Sequence, residues 1–354
     1  MLVLVGLAGA GRLPAADLFI CGTSYSEKRA AVAKLTTGAE GARLEVVDSA
    51  PLDGGGCAIA WHPRHHLLYT LTKERNCRVF RLAATGRLER VHDVALNGGY
   101  CFLALDREGR HLLGASYESG AVDVYRLDDA GLPTTLTASR DEGRKMAHSV
   151  GVTPDDRFAY AGFVKESSGL FQYRFDAATC GLEPLDPPEA AVPAGSGPRH
   201  LVFHPTKPFV YFSNEQQLGV SVLRIGADGR LELVEEVAPP GVKPAKGLAG
   251  SDIVITPDGT FVYVGVRGFE NPLQAVFAYR IGADGRLTAA GKTITDAIPW
   301  ALAMAPDGRR LFVSAARAGT LTSYRIAADG ALEREAAVDI GANLWALTAV
   351  PPGE

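Results

Sequence analysis

The sequence lacks an excess of either charge. Its 36 Lys+Arg against 40 Asp+Glu leave a net charge of -4 and a pI near 6.1. That balance offers no basic surface to a nucleic acid or an anionic membrane, so a small molecule is the expected ligand. Cysteine is sparse as well. Cys21, Cys57, Cys77, Cys101 and Cys180 are odd in number and contain no C-x-x-C spacing. Neither a disulfide framework nor a zinc site fits them, and reduced, mostly buried thiols are expected. No apolar run reaches the roughly 20 residues of a membrane-spanning helix. There is no G-x-S-x-G, no H-E-x-x-H and no Ca²⁺-loop pattern, and "GLAGAG" near the start has no strand-turn-helix around it. No metal and no cofactor are therefore expected.

Helical periodicity is also missing. Apolar residues alternate with period two, and turn signals recur too often for long helices. Forty Gly and 21 Pro point instead to many short strands joined by tight turns. The opening "MLVLVGLAGAGRLPAAD" resembles the apolar stretch and cleavage site of a secretory signal without its Lys/Arg-rich start. Residues 1–16 are read as an extension, either a disordered leader or a signal with its start truncated. The expected location is cytoplasmic, with a periplasmic or exported chain as the alternative.

Internal repetition organises the rest. A Gly followed closely by a Leu opens a short strand in "EGARLEVV", "ATGRLERV", "DAGLPTTL", "TCGLEPLD", "ADGRLELV", "ADGRLTAA" and "ADGALERE". Six strand-turn-strand units accompany these seven, among them "SVGVTPDDRFAYAGF", "HLVFHPTKPFVYFSN" and "DIVITPDGTFVYVGV". Their Pro-Asp-Gly-type turns suit a hairpin, with Pro presetting φ and Gly supplying a positive one. The missing seventh hairpin is split between the ends: "LFICGTS" is a second strand without a first, and "LWALTAVPP" a first without a second. Pairing them closes the array and removes exposed sheet edges. The expected fold is all-β, a seven-bladed β-propeller of four-stranded antiparallel blades. One domain, residues 17–354, carries it, with the last blade built from both termini.

The repeat also aligns the chain with itself. Six positions before the turn Pro or its equivalent stand Cys57, Cys101, His148, Arg199, Ser251, Trp300 and Trp345, ahead of the strand expected innermost. Beside them run Ala58, Phe102, Ser149, His200, Asp252, Ala301 and Ala346. The end of the second strand carries Thr23, Lys73, Tyr117, Val164, Glu215, Arg267 and Ala316. A hairpin places the start of its first strand beside the end of its second, so all three columns ring one mouth of the channel. His148, Arg199, Glu215 and Arg267 then fall on one arc, with Trp300, Trp345 and the two cysteines as an apolar wall opposite. His200, Asp252, Tyr117 and Lys73 complete the rim as substrate-binding candidates. An apolar wall with a few convergent polar groups is the usual form of a small-molecule site.

The residue types suggest the chemistry. Arg forks grip a carboxylate, a phosphate or a developing oxyanion. Glu215 beside them stays ionised, and can activate water or orient Arg199. His148 can pass a proton either way near neutrality. Each residue alone has a plainer structural reading: an inter-blade ion pair, or a packed histidine. Asp252 is read as holding either its hairpin or Arg267. In register on one face the set points to catalysis. His62 and His204, in equivalent His-Pro turns, are expected to be structural, and His65, His66, His92 and His111 to be solvated.

"GPRHLVFHP…VYFSNE", "MAHSVGVTPDDRFAYAG", "GSDIVITPDGTFVYVGVRG" and "ANLWALTAV" resemble the lactonase family of seven-bladed propellers. That family includes bacterial propeller-type 6-phosphogluconolactonases and fungal 3-carboxy-cis,cis-muconate cyclases. The resemblance covers nearly the whole chain from Asp17. It implies catalytic roles for His148, Arg199, Glu215 and Arg267, the positions the self-alignment selects. The chain departs from the family at Val266, where Asn is usual, at Pro299-Trp300, where Pro-Arg is common, and at Ala315-Ala316, where Asn-Gln is often found. Losing a cation at Trp300 favours a less charged lactone than a phosphorylated sugar. The expected activity is metal-independent hydrolysis of a small lactone, sugar-derived or carboxylated, by a monomer or dimer. The alternatives are a cycloisomerase forming a lactone from an unsaturated diacid, and a non-catalytic binding propeller.

Overall fold

The computed structural model describes residues 18–39, 41–72 and 75–351; the expected leader, residues 1–16, and the rim candidate Lys73 lie outside the described residues. Seven four-stranded antiparallel sheets form the chain. Blades 1 to 6 follow in order over 59–95, 102–140, 147–189, 198–237, 248–294 and 299–339. Blade 7 takes its first strand, Leu344–Val350, from the C-terminal side and its other three, Leu18–Ser24, Arg29–Gly38 and Gly41–Pro51, from the N-terminal side. Phe19 pairs with Val350 and Thr23 with Ala346, so the two half-hairpins meet as the repeat predicts. First strands of successive blades touch all the way round, blade 7 against blade 1 included. They form the wall of the central channel.

The repeated Gly-Leu signal has a packing cause. Gly229 has φ +85°, and a Cβ there would lie 2.1 Å from the Phe158 ring of the preceding blade. Its carbonyl accepts the Tyr160 hydroxyl at 2.8 Å. The same bond recurs from Tyr69 to Gly131 at 2.6 Å, Tyr211 to Gly285 at 3.1 Å and Tyr263 to Gly330 at 3.0 Å. Each links a second strand to the outer turn of the next blade. A positive φ and a close ring leave room for glycine alone.

Hydrophobic contact holds the ring together. Seven buried clusters fill the seven seams between neighbouring blades. The closing seam joins Phe19, Cys21 and Val32 of blade 7 to Leu68, Phe80 and Leu82 of blade 1. The cysteines are free; Cys21, Cys77 and Cys180 are buried, Cys57 and Cys101 half-buried. His62 reaches the Gly109 carbonyl at 2.9 Å, and His204 Nδ1 accepts the Thr206 and Lys207 N–H groups at 3.1 Å, so both histidines brace turns. His111 corrects an expectation. It is buried rather than solvated, because its Nδ1 lies 2.9 Å from Asp106 and its Nε2 2.9 Å from Cys180, in the outer turn of blade 3. Among the described residues, no helix is long and apolar enough to cross a membrane.

Candidate active site at the channel mouth

The site residues stand where the inner hairpins lose their regular pairing. The ladder between first and second strands slips between Ala147 and Ser149, Pro198 and Leu201, Gly250 and Ile253, and Pro299 and Ala301. The residues skipped are His148, then Arg199 and His200, then Ser251 and Asp252, then Trp300. Such slips leave a residue unpaired and re-aim its side chain. They gather side chains from blades that are not neighbours: the Phe102 ring of blade 2 lies 4.9 Å from that of His200 in blade 4.

Glu215 follows the second strand of blade 4, Phe209–Asn214, and its backbone ties two blades together. Its N–H donates to the Gly197 carbonyl at 2.8 Å, and its carbonyl accepts the Gly250 N–H of blade 5 at 2.9 Å. A Cβ at Gly250 would meet the Asn214 carbonyl oxygen at 2.3 Å, so that approach requires glycine. One oxygen of the carboxylate, Oε2, accepts from Arg199 Nε at 3.0 Å and from Arg267 Nη2 at 3.3 Å. The other, Oε1, accepts from Gln216 Nε2 at 3.2 Å. Asn214, its sequence neighbour, turns aside to bond Ser221 at 2.9 Å.

Two guanidinium groups thus share one carboxylate out of water. Arg199 is only 1% exposed and Arg267 3%. Burying a charge is costly unless it is paired and hydrogen-bonded. Here Arg199 Nη1, Arg267 Nε and Arg267 Nη1 have no partner. Burial, with the like charge of Arg199, lowers the proton affinity of Arg267 below that of a solvated arginine. The trio carries one net positive charge and three unused donors.

Two histidines stand beside it. His148 and His200 have ring centroids 5.1 Å apart. Burial, and then the charge of Arg199, holds both below the ordinary imidazole range, His148 well below. Both are therefore neutral at pH 7. His200 Nδ1 lies 2.7 Å from Asp252 Oδ1, while His148 Nδ1 and His200 Nε2 are buried without partners. Burial alone would raise the Asp252 pKa, but His200 and the Leu302 N–H bring it below its usual value.

The aromatic wall is continuous with the polar arc instead of opposite it. The Trp300 ring lies 4.1 Å from the Arg267 guanidinium carbon and 5.7 Å from that of Arg199. Trp345 stacks on Trp300 at 5.0 Å and Tyr25 on Trp345 at 4.4 Å. Trp300 opens blade 6, whose first strand lies against that of blade 5, so it stands beside Arg267, and the attraction of a guanidinium for an indole face favours the contact. Cys101, read as part of the far wall, directs its thiol at the blade 3 backbone, 3.4 Å from the Ala147 carbonyl. Tyr117 packs edge-on to His148 at 5.9 Å. Asp252 bonds His200 and the Leu302 N–H at 2.9 Å, and no hydrogen bond joins it to Arg267.

Four rim residues escape the sequence reading. Gln216 braces Glu215, and Lys165 Nζ lies 5.4 Å over the Tyr117 ring. Phe269 flanks Arg267 at 5.5 Å, and Tyr25 ends the aromatic stack. Gln216 and Phe269 stand one and two residues beyond chosen positions, so a wider window would find them. Lys165 and Tyr25 stand one and two residues beyond Val164 and Thr23, so the same wider window would find them. A separate cavity of about 520 Å³, lined by Arg64, His111, Arg126 and Ala178, opens at the turn end of blades 1 to 3 and includes none of the rim candidates. Among the described residues, no group of three His, Cys, Asp or Glu side chains is placed to hold a metal ion.

Residues 19–347 match the family described as lactonase, 7-bladed beta-propeller. A 6-phosphogluconolactonase of Cronobacter sakazakii is 32% identical over 252 residues, 70% of this chain and 72% of that protein. The 6-phosphogluconolactonase of Pectobacterium carotovorum is 30% identical over 240 residues, 67% of this chain and 70% of the other. A solved structure of a periplasmic gluconolactonase from Pseudomonas aeruginosa aligns with a TM-score of 0.83 at 20% identity, over 96% of this chain and 100% of that one. That last likeness speaks to the fold.

Proposed function

The chain belongs to the seven-bladed β-propeller lactonase family, and we propose that it hydrolyses a small lactone of at most one negative charge at the channel mouth. The observation that carries this is the Arg199–Glu215–Arg267 trio with its three unused donors. Hydrolysis of a lactone develops negative charge on the carbonyl oxygen, and preorganised donors in a dry site stabilise it. Glu215 is gripped by both cations, which suits it to fixing their geometry and not to taking a proton. Proton transfer then falls to the neutral histidine pair, His148 and His200, which stand within the same arc.

Charge and shape narrow the substrate. One net positive charge over the trio matches a neutral lactone or a monoanion better than a phosphate dianion. Trp300, Trp345 and Tyr25 supply an apolar, stacked flank suited to the C–H face of a ring. His148, His200, Arg199 and Arg267 are the catalytic set, with Glu215 fixing the two arginines and Asp252, Tyr117, Trp300 and Trp345 shaping the pocket. No bond in this scheme is made through a metal.

The test is constant-pH titration of acid release above the spontaneous rate. A sugar δ-lactone, its 6-phosphorylated counterpart and an aliphatic γ-lactone are compared, each with and without EDTA. The expected result is turnover that survives EDTA and favours an unphosphorylated ring. Turnover of none of the three would overturn the hydrolase reading, and loss of activity with EDTA would overturn metal independence.

A further inference from the structure

We propose that His200, held by Asp252, is the general base that activates the attacking water. The inference rests on the lactonase reading above and assigns a step within it. Besides Asp252, which holds His200, three groups within electrostatic reach of the arginines are candidates for the proton, Glu215, His148 and His200, and their surroundings separate them. Glu215 Oε2 is engaged by both guanidinium groups, so protonating it would break both ion pairs. Among the described residues no carboxylate is hydrogen-bonded to His148, and its Nδ1 is unpartnered. A positive charge formed on that ring would face Arg199 and Arg267 uncompensated.

His200 differs from both. Asp252 Oδ1 lies 2.7 Å from its Nδ1 and also accepts the Ile253 N–H at 2.9 Å. Asp252 Oδ2 accepts the Leu302 N–H of blade 6 at 2.9 Å. Two backbone donors thus lock the carboxylate, and an ionised carboxylate at Nδ1 requires the proton to sit there. That fixes the tautomer with a bare lone pair on Nε2, the one ring nitrogen left without a partner. The same carboxylate compensates the charge when Nε2 takes a proton, which is what a buried carboxylate does for a catalytic imidazole. The ring reaches inward past blade 3 to contact Phe102 and His148, so it stands in the channel beside the trio.

The step balances without a co-reactant. Water oxygen bonds to the lactone carbonyl carbon while its proton passes to His200 Nε2, and the carbonyl pair moves onto an oxygen facing the arginine donors. That pair returns, the ring C–O bond breaks with its electrons on the ring oxygen, and the proton on Nε2 moves to that oxygen. The product is an open-chain hydroxy acid and the histidine is regenerated. Asp252 touches no reacting atom and acts as a positioning residue.

Asp252→Asn tests this. Its amide meets only part of this lock. With its oxygen toward Leu302 the NH₂ faces Nδ1 and the Ile253 N–H; with its oxygen toward Nδ1 the NH₂ faces the Leu302 N–H. In either orientation the negative charge that compensates the imidazolium is gone. Kinetics are run on the lactone that the wild type opens fastest. Expected are a fall in kcat of about 100-fold with KM within about threefold, and loss of the acid limb of the pH–rate profile governed by His200. The groups acting on that limb are Asp252, Arg199, Arg267 and His148. His200→Asn, which can still donate to Asp252 but offers no base, should lose as much. Nitrogen-15 NMR of the wild-type imidazole should show the proton on Nδ1 and a bare Nε2. Wild-type kcat and pH profile in Asp252→Asn overturn the dyad, and so does a proton found on Nε2 even if that variant does not fold. A wild type that opens no lactone overturns the hydrolase reading together with the step assigned within it.

Discussion

Among the described residues two histidine–carboxylate pairs stand at opposite ends of the blades, alike in chemistry and different in completion. At the turn end, His111 Nδ1 is 2.9 Å from Asp106 and its Nε2 is closed by the Cys180 sulfur at 2.9 Å, which Arg126 Nη2 also approaches at 3.1 Å. At the mouth, His200 Nδ1 is 2.7 Å from Asp252 and its Nε2 meets nothing. A satisfied polar network rigidifies the fold, whereas buried groups left unsatisfied cost stability unless a ligand completes them. The two pairs differ in what each leaves unused, though an unpartnered nitrogen is not by itself functional, since the turn-bracing His62 and His204 also carry one. Arg199 and Arg267 show the same surplus at the mouth.

The comparison is broken most severely at Glu215. In Glu215→Gln the two guanidinium groups lose their shared negative charge while remaining buried. Removing one partner from a buried ion pair typically costs about 3–5 kcal/mol, and the remaining amide oxygen keeps the loss near the lower end. Lactone turnover should fall by at least about 10³-fold as the donors splay, with a lowered denaturant midpoint. Asp106→Asn at the turn end should cost about 1–3 kcal/mol of stability and leave kcat unchanged. Titrimetric turnover and urea unfolding of the two variants measure both. Equal losses of activity would erase the distinction.

Acid should sharpen it next. The folded-state pKa values of His148 and His200 lie below the ordinary 6.5, so below about pH 6.5 the unfolded chain binds more protons than the folded one. Stability therefore rises with pH across that window and is lost as the pH falls. The lowered pKa of Asp252 adds a separate loss, on acidification below the usual carboxylate range. Turnover should likewise have an acid limb with its midpoint under 6.5, because the neutral imidazole is the working form. Thermal melts and pH–rate profiles between pH 5 and 8 check the sign. Stability that increases on acidification through this window would show that the Asp252 carboxylate outweighs burial and the arginine charges at the mouth histidines.

Much of this was legible in the sequence, for identifiable reasons. The Gly-Leu and Pro-Asp-Gly repeats fix blade number, and the unpaired "LFICGTS" and "LWALTAV" segments fix closure, because each blade must bury both faces against neighbours of the same pattern. The columns brought His148, Arg199, Glu215 and Arg267 together because equivalent positions in a ring converge. What escaped depends on local departures from the repeat. The slipped ladders at Pro198–Leu201 and Gly250–Ile253 turn His200 and Asp252 toward each other, and no spacing rule contains that. The placing of Trp300 opposite the polar arc fails on ring order alone, since blade 6 adjoins blade 5 and so sets Trp300 beside Arg267. The solvated expectation for His111 fails because its cover, the Cys180 turn, comes from another blade.

The smallest expected effect probes the frame that both ends share. Tyr211→Phe removes the hydroxyl that donates to Gly285 at 3.1 Å and nothing else, since the ring stays packed in the seam between blades 4 and 5. The Gly285 carbonyl is left in a buried place, so the loss should be about 1 kcal/mol, the usual net value of one hydrogen bond. Tyr211 lies in the second strand of blade 4, in the same strand as Ser213 and Asn214 and just ahead of Glu215. If the seam transmitted strain along that strand, turnover would drop with stability. If the blades are rigid units that locate the mouth through their backbone bonds at Gly197 and Gly250, the melting temperature should fall slightly while kcat and KM stay at wild-type values. A kinetic loss larger than about twofold in this variant would show that the outer turns help to set the geometry of the Arg–Glu–Arg trio.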